Sequence, residues 1–304
     1  MNRPPILGTR GSPLALAQAR MVAAALETAH GWEPGFVEIR PVKTTGDRIQ
    51  DRPLAEVGGK ALWTKELDLA LLSGETDLSV HSMKDVESER PGSLAIAAML
   101  PRADVRDRLI GAASIDALGQ GAVVGTSSPR RAAQLLRLRP DLQVVPIRGN
   151  VARRLDMVAN GDVAATFLAA AGLDRLAIQE GTPIDTAVML PAPAQAAIGA
   201  ECRADDDVMR SLLAAINHGP TSSAVAAERA FARALGGSCH SPVAALAVEG
   251  GEGALWLRAE ILSIDGGAHV GGEVPLAGGD SDAAADLARE LLDRAPPAIR
   301  NLFE

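Results

Sequence analysis

Short stretches in which apolar and polar residues alternate recur along the chain, and segments with an apolar residue at every third or fourth position separate them. The first pattern predicts β-strands, and the second predicts amphipathic helices. Strands are predicted at residues 6–9, 36–39, 78–81, 94–99, 123–126, 144–147, 164–168 and 198–202, and helices at 12–26, 64–73, 127–137 and 205–216. Because strands and helices alternate, we expect an α/β fold.

The last third of the chain has a different order of elements. It predicts a helix at 221–235, three strands at 243–248, 255–262 and 269–274, and a final helix at 281–294. This is an α+β pattern of about 85 residues, a common size for an independent domain. Charge density rises after Pro101 and prolines return near 191–193, so both places are expected to be crossovers. The predicted domains are 1–99 with 197–217 (first α/β lobe), 100–196 (second α/β lobe) and 218–304 (C-terminal α+β domain).

Two pairs of similar segments suggest that the α/β lobes share one design. Residues 8–13 and 125–129 both follow a strand with Gly-Thr and then open a helix with Ser-Pro. Residues 67–74 and 155–161 both place Leu-Asp before a glycine and the next strand. A helix start with free backbone N–H groups attracts carboxylates or phosphates. We therefore expect two similar lobes, each with an anion-binding helix start, that face one cleft.

The most informative stretch is the predicted strand at 78–81 and the residues that follow it. Polar side chains crowd its carboxyl end, and ligands of open α/β sheets bind beyond the carboxyl ends of strands. An ionised Asp85 at this position can accept hydrogen bonds and face a developing positive charge. The alternative is an aspartate that only caps the next turn. His81 lies within the strand, so a structural role is expected for it.

Arginines gather near predicted strand ends and helix starts, although the chain carries a net charge of -8. The members of this group are Arg130, Arg131, Arg148, Arg153, Arg154 and Arg175. Cations in the first turn of a helix oppose the helix dipole, so stability alone does not favour Arg130 and Arg131 there. Guanidinium groups bind carboxylates through two parallel hydrogen bonds, which predicts an acidic ligand. The alternative is a set of ordinary surface arginines, and Arg153 is the strongest candidate for that.

The chain has two cysteines, which is too few for a disulfide framework or a zinc site. Cys239 lies in a glycine-rich loop after a helix, next to His240, where a thiolate could form and reach a ligand. Cys202 lies in an apolar strand. The alternative for Cys239 is a small buried residue.

Composition excludes several classes of function. Aromatic residues make up 2% of the chain and there is no tyrosine, so platforms for stacking bases are scarce. The net negative charge opposes binding to nucleic acid and to anionic membranes. No apolar run approaches the ~18 residues of a membrane span, and no signal-peptide core follows the first residues. These features predict a cytoplasmic protein with no nucleic-acid or membrane partner. The polar loop at 43–60 is longer than a connection needs and is expected to be a lid or disordered.

Several segments resemble the porphobilinogen deaminases, also called hydroxymethylbilane synthases. They are residues 8–15, 80–86, 124–131, 142–151 and 236–242, and they follow the family's order over nearly the whole chain. The resemblance implies three domains, of which the first two are similar to type II periplasmic binding proteins. It implies a transferase of porphyrin, tetrapyrrole and heme biosynthesis that joins four porphobilinogen units head to tail, releases ammonia and yields hydroxymethylbilane. It also implies a dipyrromethane cofactor attached to Cys239 through a thioether.

The resemblance carries roles over to individual residues. Asp85 matches the family's catalytic aspartate, and Lys60 lies in its mobile loop. Cofactor-binding positions are matched by Lys84, Thr126, Ser128, Arg130 and Arg131. Substrate-binding positions are matched by Arg10, Ser12, Arg148, Arg154 and Arg175. The resemblance further implies a monomer that uses porphobilinogen as its small-molecule substrate and needs no metal.

This chain departs from the family at a few positions. Ala194 and Ala196 replace glycines at the crossover between lobes, which is expected to stiffen a hinge, and Trp63 replaces a usual phenylalanine. An aspartate that is usual before the strand at 164–168 is lost at Ala164 or Ala165. The rival hypothesis is a solute-binding or effector-sensing module for small anions, since two similar lobes with arginines would also suit that role. A modified cysteine separates the two, because a receptor does not need one.

Overall fold

A computed structural model describes residues 3–44, 61–236, 241–250, 255–276 and 281–303. The chain forms two compact units: Met1–Ala103 with Ala196–Ser222, and Asp104–Gln195 with Ser223–Glu304. Within the described ranges, the first unit contains one sheet and the second contains two. The three predicted domain boundaries stay a prediction.

The strands are β1 (Ile6–Arg10), β2 (Glu38–Val42), β3 (Leu78–Ser82), β4 (Leu94–Met99), β5 (Asp107–Ile110), β6 (Val123–Gly125), β7 (Gln143–Val145), β8 (Ala165–Ala169), β9 (Thr182–Pro183), β10 (Ile198–Arg203), β11 (Val243–Glu249), β12 (Leu255–Leu262) and β13 (His269–Leu276). The helices in the described residues are α1 (Pro13–His30), α2 (Ala61–Leu72), α3 (Pro129–Leu138), α4 (Val151–Ala159), α5 (Ala170–Arg175), α6 (Asp207–Ala214), α7 (Gly219–Leu235), α8 (Ser281–Arg294) and α9 (Pro297–Arg300). None of these helices is long and apolar enough to cross a membrane.

The two five-stranded sheets share one arrangement of strand directions, although the fourth strand comes last along the chain in the first sheet and first in the second. The order is β2-β1-β3-β10-β4 in the first unit and β7-β6-β8-β5-β9 in the second. In each sheet the first three strands run parallel, and the fourth runs antiparallel to both of its neighbours. Even the register agrees, because Gly8 lies beside Ser79 and Gly125 lies beside Thr166. The predicted α/β class and the repeated design of the two lobes are confirmed.

The paired sequence segments have matching local structures. Ser12 Oγ accepts the N–H of Ala15 at 3.2 Å, and Ser128 Oγ accepts the N–H of Arg131 at 3.4 Å, so each serine caps its helix. Gly74 and Gly161 follow α2 and α4 with φ of 76° and 79°. Both glycines adopt the left-handed conformation that commonly ends a helix.

The C-terminal segment forms the predicted α+β arrangement. Strands β11, β12 and β13 make an antiparallel sheet. Its core includes Phe231 of α7, Ile261 of β12 and Leu291 of α8, each with no exposed surface. The apolar faces of α7 and α8 thus cover the sheet and give this part of the second unit its own core.

Some elements differ from the sequence-based expectation. β2 begins two residues later than predicted and contains Pro41, which an edge strand tolerates. β5, β9 and α5 were not predicted. The chain passes from the first unit to the second between Ala103 and Asp104, near the expected crossover, but the charged Asp107 that follows begins β5 and is buried. Asp107 can be buried because Arg130 and Arg131, which are distant in sequence, donate hydrogen bonds to its carboxylate.

Candidate functional site

Asp85 lies at the carboxyl end of β3, in a 3-10 turn of Met83–Asp85. The N–H of Met83 donates to Ala197 O at 3.0 Å, and Met83 packs against Gly199, where a Cβ would collide with its sulfur. These two contacts with the segment around β10 fix the turn. Asp85 then lines a pocket of the first unit together with Arg10, Ser12, Gln18, Trp63 and His81. Arg10, Ser12 and Asp85 were all candidates from the sequence, and the structure brings them together.

Gln18 is a pocket residue that the sequence argument missed. It is buried on α1, and its Nε2 donates to Ser82 Oγ at 2.7 Å. A glutamine on the mainly apolar buried face of a helix was the available signal. The contact ties α1 to the end of β3, immediately before the turn that holds Asp85.

Trp63 contacts Arg10 across the same pocket. The guanidinium carbon of Arg10 lies 3.7 Å from the centre of the Trp63 ring. This is a cation–π contact, which restrains the orientation of the arginine. A guanidinium group is a suitable partner for a carboxylate.

His81 belongs to a buried polar network beneath the pocket. Its Nε2 lies 3.0 Å from Glu201 Oε2, and the Arg90 Nε donates to Glu201 Oε1 at 2.8 Å. Burial opposes ionisation of Glu201, but the hydrogen bonds from His81 and Arg90 outweigh it and lower its pKa to about 2. The structural role expected for His81 agrees with this geometry.

In the second unit, the candidate residues gather at one edge of the sheet. Strands β6, β7 and β8 are parallel, so their carboxyl ends meet at the same edge. Thr126 and Ser128 follow β6, Arg148 follows β7, and Arg175 ends the helix that follows β8. These residues are far apart in the sequence, but each follows a strand that ends at the same edge of the sheet.

Arg130 and Arg131 are buried around Asp107, which the sequence argument missed. Arg131 Nη2 lies 2.6 Å from Asp107 Oδ1, and Arg130 Nη2 lies 2.7 Å from Asp107 Oδ2. Gln195 Nε2 also donates to Asp107 Oδ1 at 2.9 Å. Burial opposes ionisation of Asp107, but the two arginines lower its pKa far below the usual range. Both arginines thus have a structural role that helix-dipole reasoning did not anticipate.

This cluster still suits an acidic group. Two guanidinium groups surround the Asp107 carboxylate, and Arg130 Nη1 also donates to Gln134 Oε1 at 2.8 Å. Arg130 Nε is buried and has no hydrogen-bond partner among the described residues. A buried donor without an acceptor is costly unless a ligand supplies one. The residues therefore fit an anion such as the carboxylate arm of a pyrrole cofactor.

The other arginines of this unit differ in exposure. Arg148, Arg154 and Arg175 are half-buried, whereas Arg153 is exposed. Arg154 Nε donates to Gly149 O at 3.1 Å, and burial lowers the pKa of Arg175 to about 10. The expectation that Arg153 is a bystander is consistent with its exposure.

Three candidate residues remain, and one of them lies within the described residues. Lys84 is half-buried in the turn beside Asp85. Cys239 and Lys60 lie outside the described residues. Cys202 is buried in the first unit, and burial raises the pKa of its thiol to about 11. Among the described residues, no group of three His, Cys, Asp or Glu side chains could hold a metal ion.

Comparison with known proteins identifies the family. The family model "Porphobilinogen deaminase, dipyromethane cofactor binding domain" matches residues 6–211, and "Porphobilinogen deaminase, C-terminal domain" matches residues 222–295. The chain belongs to the porphobilinogen deaminase family. A porphobilinogen deaminase from Sphingopyxis alaskensis is 56% identical over 99% of this chain and 97% of its own length. One from Paracoccus denitrificans is 50% identical over 95% of this chain and 94% of its own.

Further matches include one curated relative and one solved structure. The chloroplastic porphobilinogen deaminase of Oryza sativa is 49% identical over 86% of this chain and 74% of its own length. A TRAP periplasmic solute binding protein from Desulfovibrio salexigens matches 71% of this chain and 73% of its own at 11% identity, with a TM-score of 0.40. The family assignment rests on the sequence relatives. It confirms the enzyme predicted from the sequence and does not favour the solute-binding alternative.

One departure from the family pattern has a clear structural consequence. Ala194 and Ala196 have φ of 62° and 69°, the left-handed region that glycine adopts most easily. The N–H of Ala194 donates to Glu228 Oε2 at 2.6 Å, and the residue is 1% exposed. The chain thus keeps a glycine-like backbone at this crossover with alanine side chains.

Proposed function

We propose that this chain joins four porphobilinogen molecules head to tail on a dipyrromethane covalently attached to Cys239. Ammonia leaves at each addition, and hydrolysis then releases hydroxymethylbilane. The observation that carries the proposal is the pocket in which Asp85 lies with Arg10 and Ser12. It combines a half-buried carboxylate with a cation and a helix start, which suits a substrate that has both a reactive ring and acidic arms.

Asp85 is proposed as the catalytic residue. Loss of ammonia from porphobilinogen leaves an azafulvenium cation, and a fixed carboxylate stabilises that charge better than mobile water does. The turn that carries Asp85 is held by Met83 and Gly199, so the carboxylate does not need to be ordered during the reaction. The same carboxylate can accept a hydrogen bond from a pyrrole N–H.

Basic and hydroxyl side chains are proposed to bind the acidic arms of the substrate and the cofactor. Arg10, Ser12, Arg148, Arg154 and Arg175 would hold the acetate and propionate groups of the incoming substrate. Lys84, Thr126, Ser128, Arg130 and Arg131 would hold the dipyrromethane. The buried Arg130 Nε, which has no hydrogen-bond partner among the described residues, supports the second assignment.

Cys239 is proposed as the attachment site because the chain has one other cysteine, Cys202. Burial of Cys202 and the high pKa of its thiol argue against a reactive role there. A covalently held dipyrromethane supplies a primer on which the growing chain stays anchored. Lys60 is proposed to take the role of the position that it matches in the family.

The remaining proposals concern context. The enzyme is proposed to act in the cytoplasm as a monomer, with porphobilinogen as its partner and without nucleic acid. Its domains are proposed to follow the boundaries 1–99 with 197–217, 100–196 and 218–304. Size-exclusion chromatography with light scattering tests the oligomeric state directly.

Turnover of porphobilinogen by an Arg148→Leu variant tests the function and the anion-binding assignment together. The variant loses a charge-assisted hydrogen-bonding partner for a carboxylate, which contributes roughly 1.5–3 kcal/mol. We expect porphobilinogen consumption and ammonia release to slow while the fold is retained. Arg153→Leu on the neighbouring helix is the matched control, since its side chain is exposed. No ammonia release by the parent protein would refute the function, and parent-like turnover by Arg148→Leu would refute the residue's role.

A further inference from the structure

We propose that Arg90 is a positioning residue that holds together the two walls of the Asp85 pocket. The inference rests on the proposed function and adds a residue that does not line the pocket. Arg90 lies in the connection between the 3-10 turn and β4, and its side chain is 9% exposed. Its guanidinium group contacts three carboxylates, those of Asp68, Glu87 and Glu201. Two of these connections lead to residues of the pocket.

The first connection leads to α2, which forms one wall. Arg90 Nη2 donates to Asp68 Oδ1 at 2.5 Å, one helical turn beyond Thr64. Arg90 Nη1 donates to Glu87 Oε2 at 3.0 Å, and Thr64 Oγ1 donates to both Glu87 oxygens at 3.1 Å. Thr64 and its neighbour Trp63 line the pocket. Arg90 therefore anchors the part of α2 that carries the aromatic ring against Arg10.

The second connection leads to β3, which forms the opposite side. Arg90 Nε and Nη2 donate to the two oxygens of Glu201 at 2.8 and 2.9 Å. Glu201 Oε2 in turn contacts His81 Nε2 at 3.0 Å, and His81 lines the pocket. Glu201 has no exposed surface, so this connection is shielded from water. One side chain thus links both sides of the pocket.

The shape of arginine matters as much as its charge. A planar guanidinium group presents several N–H donors in fixed directions, whereas a lysine ammonium is a compact point charge on a flexible chain. Lysine keeps the positive charge but cannot bond Asp68, Glu87 and both oxygens of Glu201 with this geometry. Replacing Arg90 with lysine should therefore loosen α2 relative to β3 without leaving three carboxylates uncompensated.

The turn that holds Asp85 has supports of its own. Met83 N–H bonds Ala197 O, and Met83 packs on Gly199, and neither contact involves Arg90. Loss of the Arg90 network should thus move the binding wall with Trp63 and Arg10 more than it moves the catalytic carboxylate. A displacement of about 1 Å in a binding wall can cost up to about a hundredfold. We expect KM for porphobilinogen to rise at least ~10-fold in Arg90→Lys, with kcat within about threefold of the parent.

The test compares Arg90→Lys with its parent in a Trp32→Phe, Trp256→Phe background, in which Trp63 is the one tryptophan left. Steady-state turnover gives KM and kcat, and Trp63 emission reports the contact with Arg10. Arg203→Lys is the control, because Arg203 bonds Leu71 O at the far end of α2 and has no contact with the Arg90 network. The expected result is a raised KM and a shifted Trp63 emission in Arg90→Lys, with both parent-like in Arg203→Lys.

Several outcomes would overturn the inference. They are an unchanged KM in folded Arg90→Lys, a loss confined to kcat, or equal effects of the two lysine variants. If Arg90→Lys does not fold, Glu87→Gln is used, which weakens the Arg90–Glu87 ion pair and with it the connection to Thr64, and the same two readouts apply. A parent protein without turnover would refute the proposed function instead, and the Trp63 emission of the variants would still test the role of Arg90.

Discussion

Asp107→Asn is the substitution with the largest expected effect on the second unit. The carboxylate accepts hydrogen bonds from Arg130 Nη2, from Arg131 Nε and Nη2, and from Gln195 Nε2. Asparagine has nearly the same volume, so packing is preserved. The change removes the one negative charge between two buried arginines and turns one acceptor atom into a donor that faces them. The variant therefore isolates the electrostatic contribution of this cluster.

The expected cost follows from the burial of the group. Asp107 is 2% exposed and its arginine partners are 4% and 6% exposed, so water cannot replace the lost partner. Removing one member of a buried, hydrogen-bonded ion pair costs about 3–5 kcal/mol. With a urea m-value of about 2 kcal/mol/M, the midpoint for unfolding should fall by roughly 2 M.

The dependence on pH has a definite sign. The folded protein holds the pKa of Asp107 far below its usual range. An unfolded aspartate protonates near pH 4, so the ion cluster contributes stability above about pH 4 and loses it as pH falls further. The difference in free energy of unfolding between parent and Asp107→Asn should therefore shrink below about pH 4.

Urea unfolding followed by Trp256 emission is the assay, because Trp256 lies on β12 in the second unit. Trp32→Phe and Trp63→Phe substitutions remove the signal of the first unit. Asp141→Asn is the control, since Asp141 pairs with Arg139 at the surface and such pairs contribute little. A destabilisation by Asp107→Asn below about 1 kcal/mol, or one equal to that of the control, would refute the reasoning.

Two further predictions test the active-site turn and the crossover. Asp85→Asn should fold like the parent but lose nearly all ammonia release, because the amide cannot offset a cationic intermediate; near-normal turnover would move the catalytic role to another residue. Ala194→Gly should change the free energy of unfolding by less than about 1 kcal/mol. Glycine removes the strain of an alanine in the left-handed conformation (about 1–2 kcal/mol), but the lost burial of a methyl group and the greater freedom of the unfolded chain offset this gain. Ala194→Val should destabilise by more than about 2 kcal/mol, because a β-branched residue strains that conformation and overfills the core; calorimetry distinguishes the three proteins.

Local patterns were sufficient to predict most of the fold. Alternation located β3, and Ser-Pro pairs located the starts of α1 and α3, because capping involves residues within one turn. The repeated segments at 8–13 and 125–129 also predicted two lobes of one design, and the matching pattern of parallel and antiparallel strands confirms this. Information of this kind is local, and the sequence displays it directly.

Contacts between distant residues could not be predicted in the same way. β5 was missed because Asp107 and Arg108 looked like solvent-exposed charges, and the partners that allow Asp107 to be buried lie 23 and 24 positions away. Glu201 pairs with His81 across 120 positions, and Gln18 meets Ser82 across 64. Only the fold brings such residues together. The sequence alone therefore indicated candidate site residues but not the residues that hold them in position.

The site residues show the same difference between local patterns and long-range contacts. Asp85, Arg10 and Ser12 were predicted because each follows or caps a local element, and the structure places them in one pocket. Arg90 and Glu201 were not predicted, because an arginine and a glutamate carry no local signal of burial. Their roles depend on which carboxylates and strands surround them after folding.

The mass of the intact protein tests the central claim most directly. The chain should be heavier than its sequence mass by one dipyrromethane unit, and peptide mapping should place the addition on the peptide that contains Cys239. The buried thiol of Cys202 should be unmodified, and Cys239→Ser should lack both the added mass and activity. Active protein with the mass of its sequence alone would contradict the covalent-cofactor account, and an adduct on Cys202 would contradict the assigned site.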